Sequence, residues 1–116
     1  MKVIKKLGIL SGLLHRNIQI TKESFVEGYK LKTENKVAVY SFVVLKNIEI
    51  REFRIYAICK DVNDFHRTRS DPFVIENNIS AVTSDSPMGQ LLLNKEKGDR
   101  ITLDNKVYEI LEVFNK

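Results

Sequence analysis

The sequence predicts an α+β domain in which an antiparallel sheet packs on one short helix, and three observations carry that expectation. Strand-forming runs dominate from residue 37 onward, a single Ser-Pro helix start interrupts them, and nothing suggests parallel βαβ units. The first run, Val37-Ala38-Val39-Tyr40-Ser41-Phe42-Val43-Val44-Leu45, is rich in β-branched and aromatic residues. Lys46-Asn47 offers a turn. Residues 49–58 then alternate, with Phe53, Ile55 and Ala57 on one face and Glu52, Arg54 and Tyr56 on the other, which predicts one buried face and one wet face. Residues 60–71 read as a polar, irregular loop, because Asp61, Asn63, Asp64, Ser70, Asp71 and Pro72 are breakers. Phe73-Val74-Ile75 is a short strand candidate, Asn77-Asn78 a turn, and residues 79–82 a further strand.

The helix is expected at residues 86–93. The Ser86 side chain can accept from the first free backbone N–H groups, and Pro87 suits the first helical position, where its missing N–H costs nothing. If the turn offers Met88 outward, Leu91 becomes the expected deepest core leucine, because Leu92 shares a face with Met88 four residues earlier. Residues 95–99 form a polar return loop. Residues 100–103 and 106–113 form a closing hairpin across Asp104-Asn105.

Composition limits the size and setting of the protein. With 116 residues, 43% of them hydrophobic and 29% charged, the chain can build one core and carry one appendage. A single cysteine, Cys59, excludes an intrachain disulfide framework and a cysteine-only zinc site, and it fits a reducing, cytoplasmic setting. No run approaches the roughly 18 apolar residues that a membrane span needs.

Residues 1–14 place Lys2, Lys5 and Lys6 before an apolar stretch, as a signal peptide would. No small-x-small site follows, and His15, Arg16 and Asn17 come at once. The rival reading is an amphipathic helix with Val3, Leu7, Leu10 and Leu14 at helical spacing, weakened by Gly8 and Gly12. Charge is concentrated here. Residues 1–36 hold eight basic side chains against three acidic ones, and the rest of the chain holds eleven against twelve, so the net +4 belongs to the N-terminal third. Such an appendage suits an acidic partner, either nucleic acid or an acidic protein surface; a lysine-rich solvated face is the plain alternative.

Little of the chain looks catalytic. There is no Gly-rich phosphate loop. His15 and His66 sit in unrelated segments without ligands at metal spacing, Cys59 ends an apolar strand as a buried thiol would, and Ser84 and Ser86 lack a nearby base. No cofactor, metal site or enzymatic activity is expected.

A resemblance adds to this reading. Ile79-Ser80, then Thr83-Ser84-Asp85-Ser86-Pro87-Met88-Gly89-Gln90-Leu91-Leu92, then Gly98-Asp99, then Tyr108-Glu109-Ile110-Leu111-Glu112-Val113 resemble the C-terminal domain of the GreA/GreB transcription elongation factors, with Phe53-Arg54-Ile55 as a fitting upstream strand. The likeness covers residues 37–116. It implies an FKBP-like fold, a sheet wrapped around the short helix. It also implies docking on RNA polymerase, at the coiled coil on the rim of the secondary channel, through the turn before that helix: Asp85, Ser86, Pro87 and Met88. Prolyl isomerase activity would follow from the fold alone, and no aromatic-lined proline pocket can be assembled from Tyr40, Phe42, Phe53 and Tyr56.

The departures matter equally. Gre factors carry a long N-terminal helical hairpin whose acidic tip helps to hold a metal ion for transcript cleavage. Here 36 residues precede the domain, enough for two helices of about 15–20 Å each. The expected tip, residues 15–24, has Glu23 as its only acid, a poor metal site beside Lys22. The short segment is closer to the Rnk branch of the family. The expectation is therefore a helical basic segment at 1–36, a Gre-type domain at 37–116, and a non-cleaving regulator bound to RNA polymerase. The alternative is a nucleic-acid-binding module using Lys2, Lys5, Lys6, Arg16, Arg67 and Arg69, the last two in a 60–77 loop that is longer than its Gre counterpart.

Overall fold

The computed structural model describes residues 32–115. Most of the helical segment expected at 1–36, with Lys2, Lys5, Lys6, Arg16 and Glu23, lies outside the described residues; its end is not helical, because Lys32–Glu34 pair with the last strand of the chain, Thr33 opposite Phe114. In chain order the elements are β1 (Lys32–Glu34), β2 (Phe42–Asn47), β3 (Phe53–Cys59), α1 (Val62–Arg69), α2 (Pro72–Glu76), β4 (Ile79–Thr83), α3 (Pro87–Leu92), β5 (Arg100–Leu103) and β6 (Lys106–Asn115). The strands form one six-stranded sheet ordered β1-β6-β2-β3-β4, with β5 also paired to β6. The α+β class is as expected.

The sheet is apolar on both faces, which explains the unbroken run Phe42-Val43-Val44-Leu45. β2 lies between β6 and β3 and all four side chains are buried. Phe42 and Val44 join Ile55, Ala57, Phe73, Val74 and Ile79 in one cluster, under α2. Val43 and Leu45 join Ile58, Leu92, Tyr108, Ile110 and Val113 in the other, under α3. Phe53, Ile55 and Ala57 share a face as expected. The opposite face of β3 is not wet, however: Ile58 is buried there, Tyr56 packs against the second cluster, and Arg54 lies 5.2 Å over the Tyr108 ring.

A register shift between Val44 and Leu45 opposite β6 lets Ile110 and Val113, three residues apart, point to the same cluster. In a regular strand that spacing would send them to opposite faces. β2 takes one edge of β6, and β1 and β5 share the other. The closing hairpin turns at Asp104 (φ 54°) and Asn105 (φ 64°), the left-handed pair that a two-residue hairpin turn requires.

Four further expectations change. The strand expected at 37–45 begins only at Phe42. Val37 instead bonds to Lys95 and Asn94, and a turn at Tyr40 (φ 75°) is held by the Ser41 hydroxyl accepting from the Ala38 N–H. Residues 60–71 are mostly helix. Asp61 is a breaker only in that it ends one element and starts another: its carboxylate accepts from the Asp64 N–H at 2.9 Å, capping α1, while Arg67 and Arg69 suit the C-terminal end of the helix dipole. Phe73-Val74-Ile75 is helical too, because Asp71 caps α2 by accepting from the Phe73 N–H at 2.8 Å and Pro72 opens it. Finally, β4 pairs with β3 in parallel. A parallel pair needs a long crossover, and α1 with α2 provides it.

Candidate docking site

The parallel pair determines where the Ser-Pro turn sits. β3 and β4 end together, Cys59 opposite Thr83. The Ser84 N–H donates to the Cys59 carbonyl at 2.8 Å and the Ser84 hydroxyl to the Lys60 carbonyl at 3.2 Å. The chain then turns outward at Asp85 before α3 begins.

Ser86 holds this turn from both sides. Its hydroxyl accepts from the Gly89 N–H at 3.0 Å, capping α3, and donates to the Thr83 carbonyl at 2.7 Å. Gln90 reaches back, its amide nitrogen Nε2 donating to the Ser84 carbonyl at 2.8 Å. Gly89 is required by close approach: a Cβ there would overlap the Thr83 carbonyl oxygen and lie 2.9 Å from that of Ser84. The small residue three positions after Ser86 thus lets the helix press against the strand end.

The side chains of the turn divide in two. Asp85 and Pro87 are exposed, and among the described residues the Asp85 carboxylate has no hydrogen-bond or ion-pair partner. Met88 does not extend outward. It is half-buried against the cluster that holds Leu92. This reverses the expected order of the leucines: Leu92 is completely buried and Leu91 only partly, because Met88 and Leu92 share the inward face.

Next to the turn lies a feature that sequence reasoning missed. An open groove of about 410 Å³ runs between α1 and β4, lined by Val62, Phe65, His66, Ala81, Val82 and Thr83 and reaching Ser86. Its sequence signal was present. Asp61 followed by Val62 and Phe65, then by Arg67 and Arg69, is a capped helix start with an apolar pair at i,i+3 and a basic end.

The two described arginines of the nucleic-acid alternative are on α1, both exposed. Arg67 Nη2 is 3.5 Å from Asp64 Oδ1, and the Arg69 guanidinium stands 5.7 Å over the Phe65 ring. His66 is exposed, as expected of a surface histidine. Cys59 is buried, and burial pushes its thiol up, which keeps it protonated and unreactive. Among the described residues no group of three or more His, Cys, Asp or Glu side chains could hold a metal ion, and no helix is long and apolar enough to cross a membrane.

No family model matches the sequence, and no curated protein does. Solved structures do. GreA factor homolog 1 (Gfh1) of Thermus thermophilus aligns over 97% of this chain and 87% of its own, with a TM-score of 0.53 at 14% identity. The prokaryotic transcription elongation factor GreA/GreB from Nitrosomonas europaea aligns over 68% of this chain at 19% identity, with a TM-score of 0.49, and this chain spans 60% of its length. Gfh1 of Thermus aquaticus aligns over 97% of this chain and 86% of its own at 13% identity, also with a TM-score of 0.49. At these identities the likeness is one of fold. The chain shares an α+β fold with Gfh1 of Thermus thermophilus.

Proposed function

We propose that this chain is a Gre-type regulator that docks on RNA polymerase near the secondary channel, through the turn at Asp85, Ser86 and Pro87, and does not itself cleave the transcript. The observation that carries the reading is the turn, where an exposed proline and a carboxylate with no partner among the described residues stand at the end of two strands, pinned by Ser86, Gln90 and the close packing of Gly89. The order of motifs in the sequence and the fold shared with Gfh1 support the same choice. Glu23 as the only acid of residues 15–24 supports the absence of cleavage. On this reading the protein works in the cytoplasm and needs no cofactor of its own.

Two measurements test it. Asp85→Arg reverses the charge of a side chain with no partner among the described residues, so it should abolish capture of RNA polymerase while the thermal melt stays within a few degrees; unchanged capture would refute docking through this turn. Added with magnesium to a backtracked elongation complex, the protein should release no cleaved transcript. Cleavage that disappears in Glu23→Ala would show a working acidic tip.

The nucleic-acid alternative makes a different prediction. Duplex binding should weaken by about 0.9 log unit per log unit of salt for each phosphate neutralised. Docking through one carboxylate beside apolar contacts should respond far less.

A further inference from the structure

The ends of β3 and β4 bring two acidic chain segments together. The Ser84 hydroxyl bonds to the Lys60 carbonyl, so the Lys60-Asp61 and Ser84-Asp85 steps lie side by side, with α1 rising from one and α3 from the other. The groove between α1 and β4 opens beside this junction. Val62, 61% exposed, and the partly buried Phe65 and Ala81 make its walls apolar. The Ser86 hydroxyl is already engaged as both donor and acceptor. A polar metabolite would find few free groups to orient it, and small-molecule sites ordinarily supply several. An apolar side chain needs none. At the junction Asp61, Asp64 and Asp85 outnumber Lys60. Asp64 is occupied by the Lys60 N–H and Arg67, but Asp85 has no partner among the described residues. Charge complementarity thus favours a basic neighbour for whatever fills the groove.

We infer that the docking surface extends from the Asp85 turn into this groove, and that the partner is a protein segment seating an apolar side chain against Val62, Phe65 and Ala81 while a flanking lysine or arginine meets Asp85. The inference rests on the polymerase-docking reading and deepens it, since the α1 wall of the groove, with Val62 and Phe65, belongs to the long 60–77 segment and lies outside the turn.

The test measures binding of the labelled full-length chain to RNA polymerase core enzyme, with melts recorded for every variant. Ala81→Phe fills the groove from the strand side. Val62→Asp places a charge on its exposed wall, at a position where the fold has little to lose. Each should weaken binding about tenfold or more, with melts near wild type. Should Ala81→Phe disturb the sheet, Val62→Asp decides alone. Wild-type affinity in a folded Val62→Asp, together with lost binding in Asp85→Arg, overturns the groove inference and leaves the turn standing. Failure of the wild-type chain to bind polymerase overturns both.

Discussion

Leu91 and Leu92 are adjacent and chemically identical, yet only Leu92 is completely buried. The difference comes from Met88, which turns inward one helical turn earlier and brings Leu92 with it into the cluster of Ile58, Tyr108 and Ile110. Leu92→Ala should therefore cost about 2–5 kcal/mol, the usual range for a buried leucine, and Leu91→Ala clearly less. Urea melts of the two variants check this; the opposite order would mean that the helix is rotated from the arrangement described. Residue identity alone could not separate the two leucines. A helix this short has no second turn of apolar residues from which the direction of its buried face could be read.

At the scale of elements, α1 shows how a short helix escapes detection. Its eight residues bury nothing completely, and half of the stretch from Lys60 to Asp71 is of types that also mark loops. What makes it a helix is a cap at each end and a sheet to lie on. The Asp61 carboxylate satisfies the Asp64 N–H, and the Ser70 N–H returns to the Arg67 carbonyl. Asp61→Ala should cost about 0.5–2 kcal/mol. Hydrogen exchange should show the loss locally, with amides of residues 64–69 exchanging faster while those of β2 stay protected. Uniform acceleration across the sheet would show instead that α1 and the sheet unfold as one unit.

Across the whole molecule, Glu52 ties the β2–β3 connection to the closing hairpin. Its carboxylate accepts from the Tyr108 hydroxyl at 2.9 Å and from Arg54 Nε at 3.2 Å, with Lys106 Nζ 3.8 Å away. The Tyr108 hydroxyl, helped by Arg54 and Lys106 and opposed by desolvation, holds the Glu52 carboxyl below its ordinary value of 4.5. The folded state then favours the charged form more than the unfolded chain does. The resulting stability is complete above 4.5 and is lost as pH falls through the lowered value. Wild type should accordingly be more stable than Glu52→Gln at neutral pH, with the gap closing in acid. Denaturant midpoints of both proteins across the acid range measure it, and a gap of constant size would show that Glu52 acts only through packing.

The sequence by itself determined the parts of this protein that local chemistry controls. The Asp104-Asn105 hairpin, the Ser86-Pro87 helix start, the strand at Ile79 and the shared face of Phe53, Ile55 and Ala57 all follow from turn propensities, capping and a period of two. Only the tertiary structure decided that β4 runs parallel to β3, that α1 and α2 make the crossover, and that both faces of the sheet are covered. The reason is one of range. A cap or a turn is satisfied by neighbours a few residues away, whereas an aspartate in the 60–71 stretch ends a strand or starts a helix according to whether a sheet elsewhere in the chain offers a surface for that helix to cover. The groove beside Asp85 belongs to this second kind, since its walls, Val62 and Ala81, meet only after the crossover has closed.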